Sequence, residues 1–133
     1  MSKRQTKEQK RAAYAWQCAK EAQDNLSEKA SEYGQLARGL PARIQTNGLG
    51  QTLAYLLSKG KGDPGKPHQL LYQHISRWVT EQLKWGANDD LLVKLTQESS
   101  ANYRRATSEA MALLIWLRRF AEARLVKEET NDG

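Results

Sequence analysis

The side chains best suited to catalysis or metal binding are few in this chain. Its two histidines, His68 and His74, are six positions apart, and Cys18 is its single cysteine. Residues six apart on a helix point in different directions, and no His-x-x-x-His or Cys-x-x-Cys spacing is present, so we do not expect a zinc site. Asp89 and Asp90 could ligate a cation, but adjacent helical residues diverge and helix capping accounts for both. We therefore predict no enzyme, no metal and no cofactor.

The segment of residues 59–67, KGKGDPGKP, superficially resembles a phosphate-binding loop. It lacks the preceding strand and the closing Gly-Lys-Ser/Thr of a P-loop, so that interpretation is rejected. Its three glycines and two prolines instead predict a flexible, solvated loop. His74 lies one position from the apolar face of its helix, and we expect it to be a partly buried structural histidine.

Four basic residues near the N-terminus fall on one face of the first predicted helix: Lys3, Lys7, Lys10 and Arg11. A solvated face beside an apolar stripe is the ordinary interpretation of such a pattern. Glu8, however, is the one acidic residue in the first twenty positions that can offset them. Charge alone therefore makes these residues candidates for contact with an anionic partner such as a nucleic acid.

The last predicted helix carries two arginine pairs, Arg104-Arg105 and Arg118-Arg119. Pairing at i,i+4 can engage Arg105 with Glu109 and Arg118 with Glu122, which makes half of this charge structural. Arg104 and Arg119 have no acidic residue four positions away. A guanidinium group matches phosphate oxygens well, so these two arginines are candidates for sequence-independent contact with a nucleic-acid backbone.

The four tryptophans divide by their position in the helical pattern. Trp16, Trp78 and Trp116 lie within apolar stripes and are expected in the core. Trp85 stands just before Gly86 at a predicted helix end, so we expect it to be the most exposed tryptophan and to anchor a partner protein.

The composition predicts an all-α domain. The 133 residues have a net charge of +6, and Val, Ile and Thr together number only 13, too few for a sizeable sheet. Ala, Leu, Gln, Glu, Lys and Arg, the strong helix formers, dominate instead. No apolar run approaches 18 residues, so we expect no membrane span, and the single cysteine fits a cytoplasmic protein.

Capping and breaking residues mark the first two helices. Ser2 and Gln5 form a potential capping box for the first helix. Its apolar face is Ala12, Ala15, Trp16, Ala19, Ala22 and Leu26. Ser27 is the expected cap of a second, short helix that Gly39 ends. Pro41 is then expected to restart the chain, because proline suits the first helical position.

Further along, Asn47-Gly48 interrupts the helical pattern, and Pro67 opens another helix that ends near Gly86. A cap formed by residues 88–90 and a cap at Ser99 or Ser100 precede the last two helices, the second of which runs over roughly 101–127. Together these elements predict a single compact bundle of about five to six helices over residues 1–127, followed by a polar tail at 128–133.

Two segments of the chain match a known family. The first is LPARIQTNGL at residues 40–49, followed by LAYL at 53–56. The second is YRRATSE at 103–109, continued by WLRRFAEA at 116–123. In this order, in a helical protein of this size, they resemble the small subunit of the type III-B CRISPR effector complex, the fifth member of the Cmr (RAMP module) set.

The resemblance implies a role in assembly. Small subunits of this kind are helical, lack nuclease chemistry and stack in several copies into a filament. That filament runs beside the repeated RAMP backbone subunits that hold the crRNA, meets the large Cas10-type subunit at one end, and helps to form the groove for target RNA. The resemblance therefore implies an antiviral structural subunit with other Cmr subunits, copies of itself and crRNA or target RNA as partners.

The resemblance also suggests roles for residues inside the two segments. Helix geometry is assigned to Pro41, Asn47 and Gly48, and packing to Trp116, Leu117 and Phe120. Contact with RNA phosphates or partner proteins is assigned to Arg43, Arg104 and Arg119. Lys7, Lys10 and Arg11 lie outside the segments and remain RNA- or partner-contacting candidates from charge alone.

Two other functions stay open at this point. One is an autonomous, basic helical nucleic-acid-binding protein that acts alone or as a homodimer. The other is an enzyme built on carboxylates such as Asp89 and Asp90.

Overall fold

The computed structural model describes residues 4–86 and 90–125, and in those ranges the chain consists of six α-helices and one short 3-10 segment. The helices are α1 (Lys7–Leu26), α2 (Ala30–Asn47), α3 (Leu49–Gly60), α4 (Pro67–Gln82), α5 (Leu91–Gln97) and α6 (Ser100–Arg124), with the 3-10 segment Ser27–Lys29 between α1 and α2. The predicted all-α class is confirmed. Ser2, Lys3, Asn88, Asp89 and the tail at 128–133 lie outside the described residues.

Helix α1 begins at Lys7, later than expected. The hydroxyl of Thr6 accepts from the backbone N–H of Gln9 at 3.0 Å, and the Gln9 side chain accepts from the backbone N–H of Thr6 at 2.8 Å. This reciprocal pair is a capping box. The prediction that Gln5 takes part in the cap is wrong, because Gln5 precedes the helix.

The buried face of α1 is made of small residues. Ala15, Cys18, Ala19 and Ala22 are all fully or nearly fully buried, which lets α1 pack closely along α6. The prediction that Trp16 is a core residue is wrong, since it is 42% exposed. An indole does not fit between two closely packed helices, so the Trp16 ring lies at the edge of their contact.

Helix α2 passes through Gly39 and Pro41 without a break. The prediction that Gly39 ends a helix and Pro41 starts another is therefore wrong. A proline inside a helix costs about 3 kcal/mol. Leu40 and Ile44 on the same face are buried, and burying two such side chains contributes about 1.5–3 kcal/mol each, which offsets the cost.

The interruption predicted at Asn47-Gly48 is present in the structure. Helix α2 ends at Asn47, Gly48 adopts a φ of +87°, and α3 begins at Leu49. A positive φ of this size favours glycine. Two residues later the backbone N–H of Gly50 donates to the Tyr103 hydroxyl at 2.7 Å, and a Cβ at position 50 would lie 3.1 Å from that oxygen. The start of α3 is thus held close to α6.

Helices α3 and α4 pack as neighbours across a short connection. Residues 59 and 60 still belong to α3, so the connection covers residues 61–66 and is shorter than the predicted loop. As expected, Pro67 opens α4, whose inward residues Leu71, Ile75, Trp78 and Val79 are all buried. The caps of α5 and α6 are Asp90 and Ser99.

One core joins the helices. Helix α6 lies along α1 and α2, while α4 packs on α3 and also reaches α1, α2, α5 and α6. None of the helices in the described part of the chain has the length and apolar composition needed to span a bilayer.

Candidate nucleic-acid interface

Glu109 of α6 is a buried carboxylate that joins three helices. Arg11 of α1 donates to it as a fork, from Nε to Oε1 and from Nη2 to Oε2, both at 2.9 Å. Trp78 of α4 donates its indole N–H to Oε1 at 2.8 Å, and the Lys7 ammonium nitrogen is 3.1 Å from Oε2. This carboxylate therefore ties the beginning of α1 to α4 and α6.

These donors keep the carboxylate ionised inside the fold. Burial alone would raise the pKa of Glu109, but hydrogen bonds from Arg11, Trp78 and Lys7 lower that pKa to about 2. The side chain of Arg11 is 15% exposed and also bonds the Glu8 carboxylate at 2.7 Å. Two of the cations predicted to face an anionic partner, Lys7 and Arg11, are therefore held by carboxylates of this chain.

The predicted pairing of Arg105 with Glu109 is wrong. The Glu109 oxygens are taken up by Arg11, Trp78 and Lys7, while Arg105 is exposed and donates to the Asn102 side chain at 3.3 Å. A surface i,i+4 pair contributes only about 0.3–0.5 kcal/mol. A buried, bidentate guanidinium–carboxylate contact is stronger and therefore determines the partner of Glu109.

A cleft of about 390 Å³ opens beside the Glu109 cluster. It is lined by Lys7 and Arg11 of α1, Arg104, Arg105 and Ser108 of α6, and Leu83 after α4. We refer to it as the Arg104 cleft. Arg104 has no hydrogen-bond or ion-pair partner within residues 4–86 and 90–125. With Ser108 and Arg105 beside it, Arg104 offers phosphate oxygens a guanidinium fork and a hydroxyl.

Arg105 is the functional candidate that sequence reasoning missed. Its i,i+4 spacing to Glu109 assigned it a structural role, and only the position of α1 shows that Glu109 has other donors. The sequence contains one signal that Glu109 has other donors, which is the excess of basic over acidic residues in the first helix. Lys10, the remaining candidate on α1, is exposed and has no side-chain partner among the described residues.

Arg119 lies far from the Arg104 cleft. It is fifteen positions beyond Arg104, which corresponds to about 22 Å along α6. The predicted pair of Arg118 with Glu122 is confirmed at 3.3 Å, and Arg38 of α2 approaches the same carboxylate at 3.4 Å. Arg119 is exposed and unpaired among the residues that the structure describes. One phosphate therefore cannot contact both arginines.

Arg43 lies at a third place, on α2. Its guanidinium carbon is 3.9 Å from the centroid of the Tyr55 ring, a cation–π contact with α3. The Tyr55 ring in turn meets the His68 ring of α4 edge to face, with centroids 5.8 Å apart. The structure thus distributes Arg43, Arg104 and Arg119 over separate parts of the surface instead of bringing them together.

The exposed aromatic surface differs from the predicted one. Trp85 is half-buried and packs against the core, because the chain turns back after α4 and the backbone N–H of Trp85 donates to the Thr80 carbonyl at 2.8 Å. The prediction that Trp85 is the most exposed tryptophan is therefore wrong. Trp16 is the exposed tryptophan instead, and its ring centroid is 5.1 Å from that of Phe120. The Arg124 guanidinium carbon lies over the Trp16 ring, 4.3 Å from its centroid.

The three residues of the second segment expected to pack, Trp116, Leu117 and Phe120, all lie in or against the core. Leu117 is fully buried, while Trp116 and Phe120 are half-buried against the core. The indole N–H of Trp116 donates to the Glu8 carboxylate at 3.0 Å.

Two of the groups that could support catalysis, His74 and Cys18, are enclosed in the core. His74 is wholly buried, with its Nδ1 2.6 Å from the Tyr33 hydroxyl and its Nε2 3.2 Å from the Glu21 carboxylate. A neutral imidazole protonated on Nε2 satisfies both contacts, and burial lowers the pKa of His74 to about 4. Burial also raises the pKa of Cys18 to about 12, which keeps the thiol protonated. Within the described ranges, His, Cys, Asp and Glu form no group of three or more able to hold a metal ion.

Known proteins of one family are similar to this chain over most of its length. A family model described as CRISPR-associated protein (Cas_Cmr5) matches residues 7–124. Among solved structures, the fold is similar to that of a CRISPR-associated Cmr5 family protein from Thermus thermophilus. The two chains are 28% identical with a TM-score of 0.72, and the match covers 92% of this chain and 99% of the other.

Proposed function

The chain belongs to the Cmr5 family of CRISPR-associated proteins, the small subunits of the type III-B Cmr complex, and we propose that it acts there as a non-catalytic structural subunit. In this role it stacks with other copies of itself beside the crRNA-bound RAMP backbone subunits, and it meets the large Cas10-type subunit at one end. The match of the family model over residues 7–124, nearly the whole described chain, is the observation that carries this proposal.

We further propose that the chain helps to form the target-RNA groove through phosphate contacts. The Arg104 cleft supports this, because Arg104 and Arg105 face solvent beside Ser108 and are not engaged by a carboxylate among the described residues. Such contacts are electrostatic and independent of sequence, since a guanidinium fork reads phosphate oxygens and not bases. Arg119 and Lys10 are exposed in the same way and extend the set of proposed contacts.

Lys7 and Arg11 take a lesser place in this proposal. Both line the Arg104 cleft, but Glu109 and Glu8 already neutralise much of their charge. Their main effect on RNA is therefore indirect, because they hold α1 against α6 and shape one wall of the cleft.

The test is reconstitution of the complete complex with Arg104→Glu, compared with the matched charge reversal Lys20→Glu at an exposed position of α1. We expect the Arg104 variant to assemble normally and to bind target RNA more weakly. We also expect its plot of log affinity against log salt to flatten by about 0.7, the effect of one lost phosphate contact on a single strand. The Lys20 variant should match wild type in both measurements.

Two outcomes would contradict the proposal. Equal losses in the two variants would show that the Arg104 cleft is not a specific contact. A chain that does not co-purify with other Cmr subunits and guide RNA, yet binds RNA alone with nanomolar affinity, would favour the autonomous nucleic-acid-binding protein.

A further inference from the structure

A second basic surface lies where α2, α3 and α4 meet, away from the Arg104 cleft. A pocket of about 230 Å³ opens there, lined by Lys29, Glu32, Lys59, Lys66, Pro67 and His68. Three lysines thus surround a small pocket in which Glu32 is the acidic group. The opening is large enough for a phosphate group, and its lining carries net positive charge.

Stacked planar groups border this pocket. His68 lines the pocket and also packs edge to face on Tyr55, while the Arg43 guanidinium covers the Tyr55 ring at 3.9 Å. Arg43 is exposed, and Tyr55 and His68 are half-buried. The cation–π contact holds the guanidinium over the ring, and Arg43 has no hydrogen-bond or ion-pair partner among the described residues. We refer to Arg43, Tyr55, His68, Lys59 and Lys66 as the Arg43 surface.

The connection that carries Lys66 has a defined backbone. The backbone N–H of Gly62 donates to the Gln69 side chain at 3.2 Å, and the Asp63 carboxylate accepts from the backbone N–H of Gly65 at 2.9 Å. The N–H of Lys66 donates to the Asp63 carbonyl at 2.9 Å. These bonds close the turn that carries Lys66, which lines the pocket together with Lys59 of α3.

The electrostatics of His68 show that the cations converge on this surface. Burial is the main cause that lowers the pKa of His68, and Glu32 opposes it. The charges of Lys59, Arg43 and Lys66 lower that pKa further. All three cations therefore lie close enough to act on one imidazole ring, and that ring stays neutral at pH 7.

We propose that the Arg43 surface binds an unpaired nucleotide of single-stranded RNA, with the base stacked on the Arg43–Tyr55 pair and the adjoining phosphate held between Lys59 and Lys66. Planar aromatic and guanidinium groups stack on unpaired bases in proteins that bind single strands. This proposal rests on the proposed function for the source of the RNA. It adds a site that contacts a base and so distinguishes unpaired RNA from a duplex.

An acidic protein segment is the competing ligand for such a surface, since lysines attract carboxylates as well as phosphates. The arrangement of Arg43 over Tyr55 favours RNA, because a base can lie flat against the guanidinium, whereas a carboxylate would engage only the guanidinium N–H groups and gain nothing from the Tyr55 ring. The two ligands differ in one testable respect, which is their dependence on the Tyr55 ring.

The experiment uses the full chain and two fluorescently labelled probes, octaadenylate and a ribose-phosphate octamer without bases, with binding followed by anisotropy at low salt. Tyr55→Leu removes the ring that holds the Arg43 guanidinium in place and should weaken octaadenylate binding at least about fivefold, the lower end of what stacking on one base contributes. It should leave the affinity for the abasic octamer unchanged. Tyr55→Phe keeps the ring and should retain wild-type affinity for both probes.

The lysines are tested separately from the ring. Lys59→Ala/Lys66→Ala should weaken both probes by the same factor and flatten the salt dependence by about 0.7, the effect of losing the one phosphate that the two lysines hold. Lys20→Ala, an exposed lysine on α1, serves as the charge control and should change neither measurement. Circular dichroism of each variant checks that the helices are intact.

The outcomes separate this inference from the proposed function. Equal effects of Tyr55→Leu on the two probes, no effect on either, or displacement of octaadenylate by a short polyglutamate peptide at lower concentration than by unlabelled RNA would overturn the nucleotide site. In each case assembly of the chain with other Cmr subunits would be unaffected. Failure of that assembly would instead contradict the proposed function and leave the measured binding to the Arg43 surface intact.

Discussion

Replacing Glu109 by glutamine removes the charge that joins α1, α4 and α6 and should be strongly destabilising. The fall in the pKa of Glu109 from 4.5 to about 2 corresponds to about 3 kcal/mol of stability at neutral pH, at about 1.4 kcal/mol per pKa unit. Its partner Lys7 is half exposed, and solvent screening weakens that contact. We therefore expect Glu109→Gln to reduce the free energy of unfolding by about 2–3 kcal/mol at pH 7.

The same reasoning fixes the pH dependence. The folded protein binds the Glu109 proton less tightly than the unfolded chain does, so the stabilisation is complete above pH 4.5 and is lost as the pH falls toward 2. The difference in stability between wild type and Glu109→Gln should therefore shrink across this range. A glutamine at position 109 does not titrate, which makes the comparison specific to this carboxylate.

Urea unfolding followed by circular dichroism measures both effects. Arg11→Gln removes the bidentate donor and should be destabilising by a similar amount, whereas Arg105→Gln should stay within about 0.5 kcal/mol of wild type. A large effect of Arg105→Gln with a small effect of Arg11→Gln would refute the observed pairing and restore the i,i+4 pair. A pH-independent difference between wild type and Glu109→Gln would refute the ionised state of the buried carboxylate.

Two further predictions concern the core and the α3–α6 contact. Because burial lowers the pKa of His74 from 6.5 to about 4, the unfolded chain takes up the proton first, and the free energy of unfolding should fall as the pH decreases from 6.5 to 4. His74→Gln should abolish that part of the pH dependence in urea titrations, and an unchanged profile would contradict the neutral, buried imidazole. Tyr103→Phe removes the hydroxyl that accepts from the Gly50 N–H, so we expect a loss of about 1 kcal/mol and faster hydrogen exchange at Gly50. Slow exchange at Gly50 in that variant would contradict the contact.

Most of the helical architecture could be predicted from the sequence, because apolar spacing and capping residues act locally. The inward face of α4 and the caps Asp90 and Ser99 follow from three- and four-residue spacing and from short-range hydrogen bonds. The break at Gly48 is predictable for a local reason too, because its positive φ is a conformation that favours glycine. These features need no information about distant parts of the chain.

The course of α2 through Pro41 could not be predicted in this way. Local propensity places a boundary there, and the opposing contribution comes from Leu40 and Ile44, which are buried against other helices. The free energy that compensates for the proline therefore comes from tertiary packing. A single sequence gives the local cost but not the size of the compensating burial.

The error at Trp16 has a related origin. Residues 15, 16, 18, 19 and 22 all lie near one side of α1, and hydrophobicity alone favours the tryptophan over Cys18 as the inward residue. The distance between α1 and α6 decides whether Trp16 or Cys18 faces inward. The alanines of α1 allow a close contact with α6, and such a contact accepts a thiol while it leaves an indole at the edge.

The basic residues of this chain divide into paired and unpaired cations, although the net charge is only +6. Lys7 and Arg11 of α1 and Arg118 of α6 are held by carboxylates of the chain, so these three cations stabilise the fold more than they attract a ligand. The cations left without an acidic partner among the described residues include Arg104 and Arg119, about 22 Å apart on α6. An enclosed ligand site would bring such groups together. Separation of this kind instead suits an extended polyanion that touches the surface at several points, as the backbone of a bound RNA strand does.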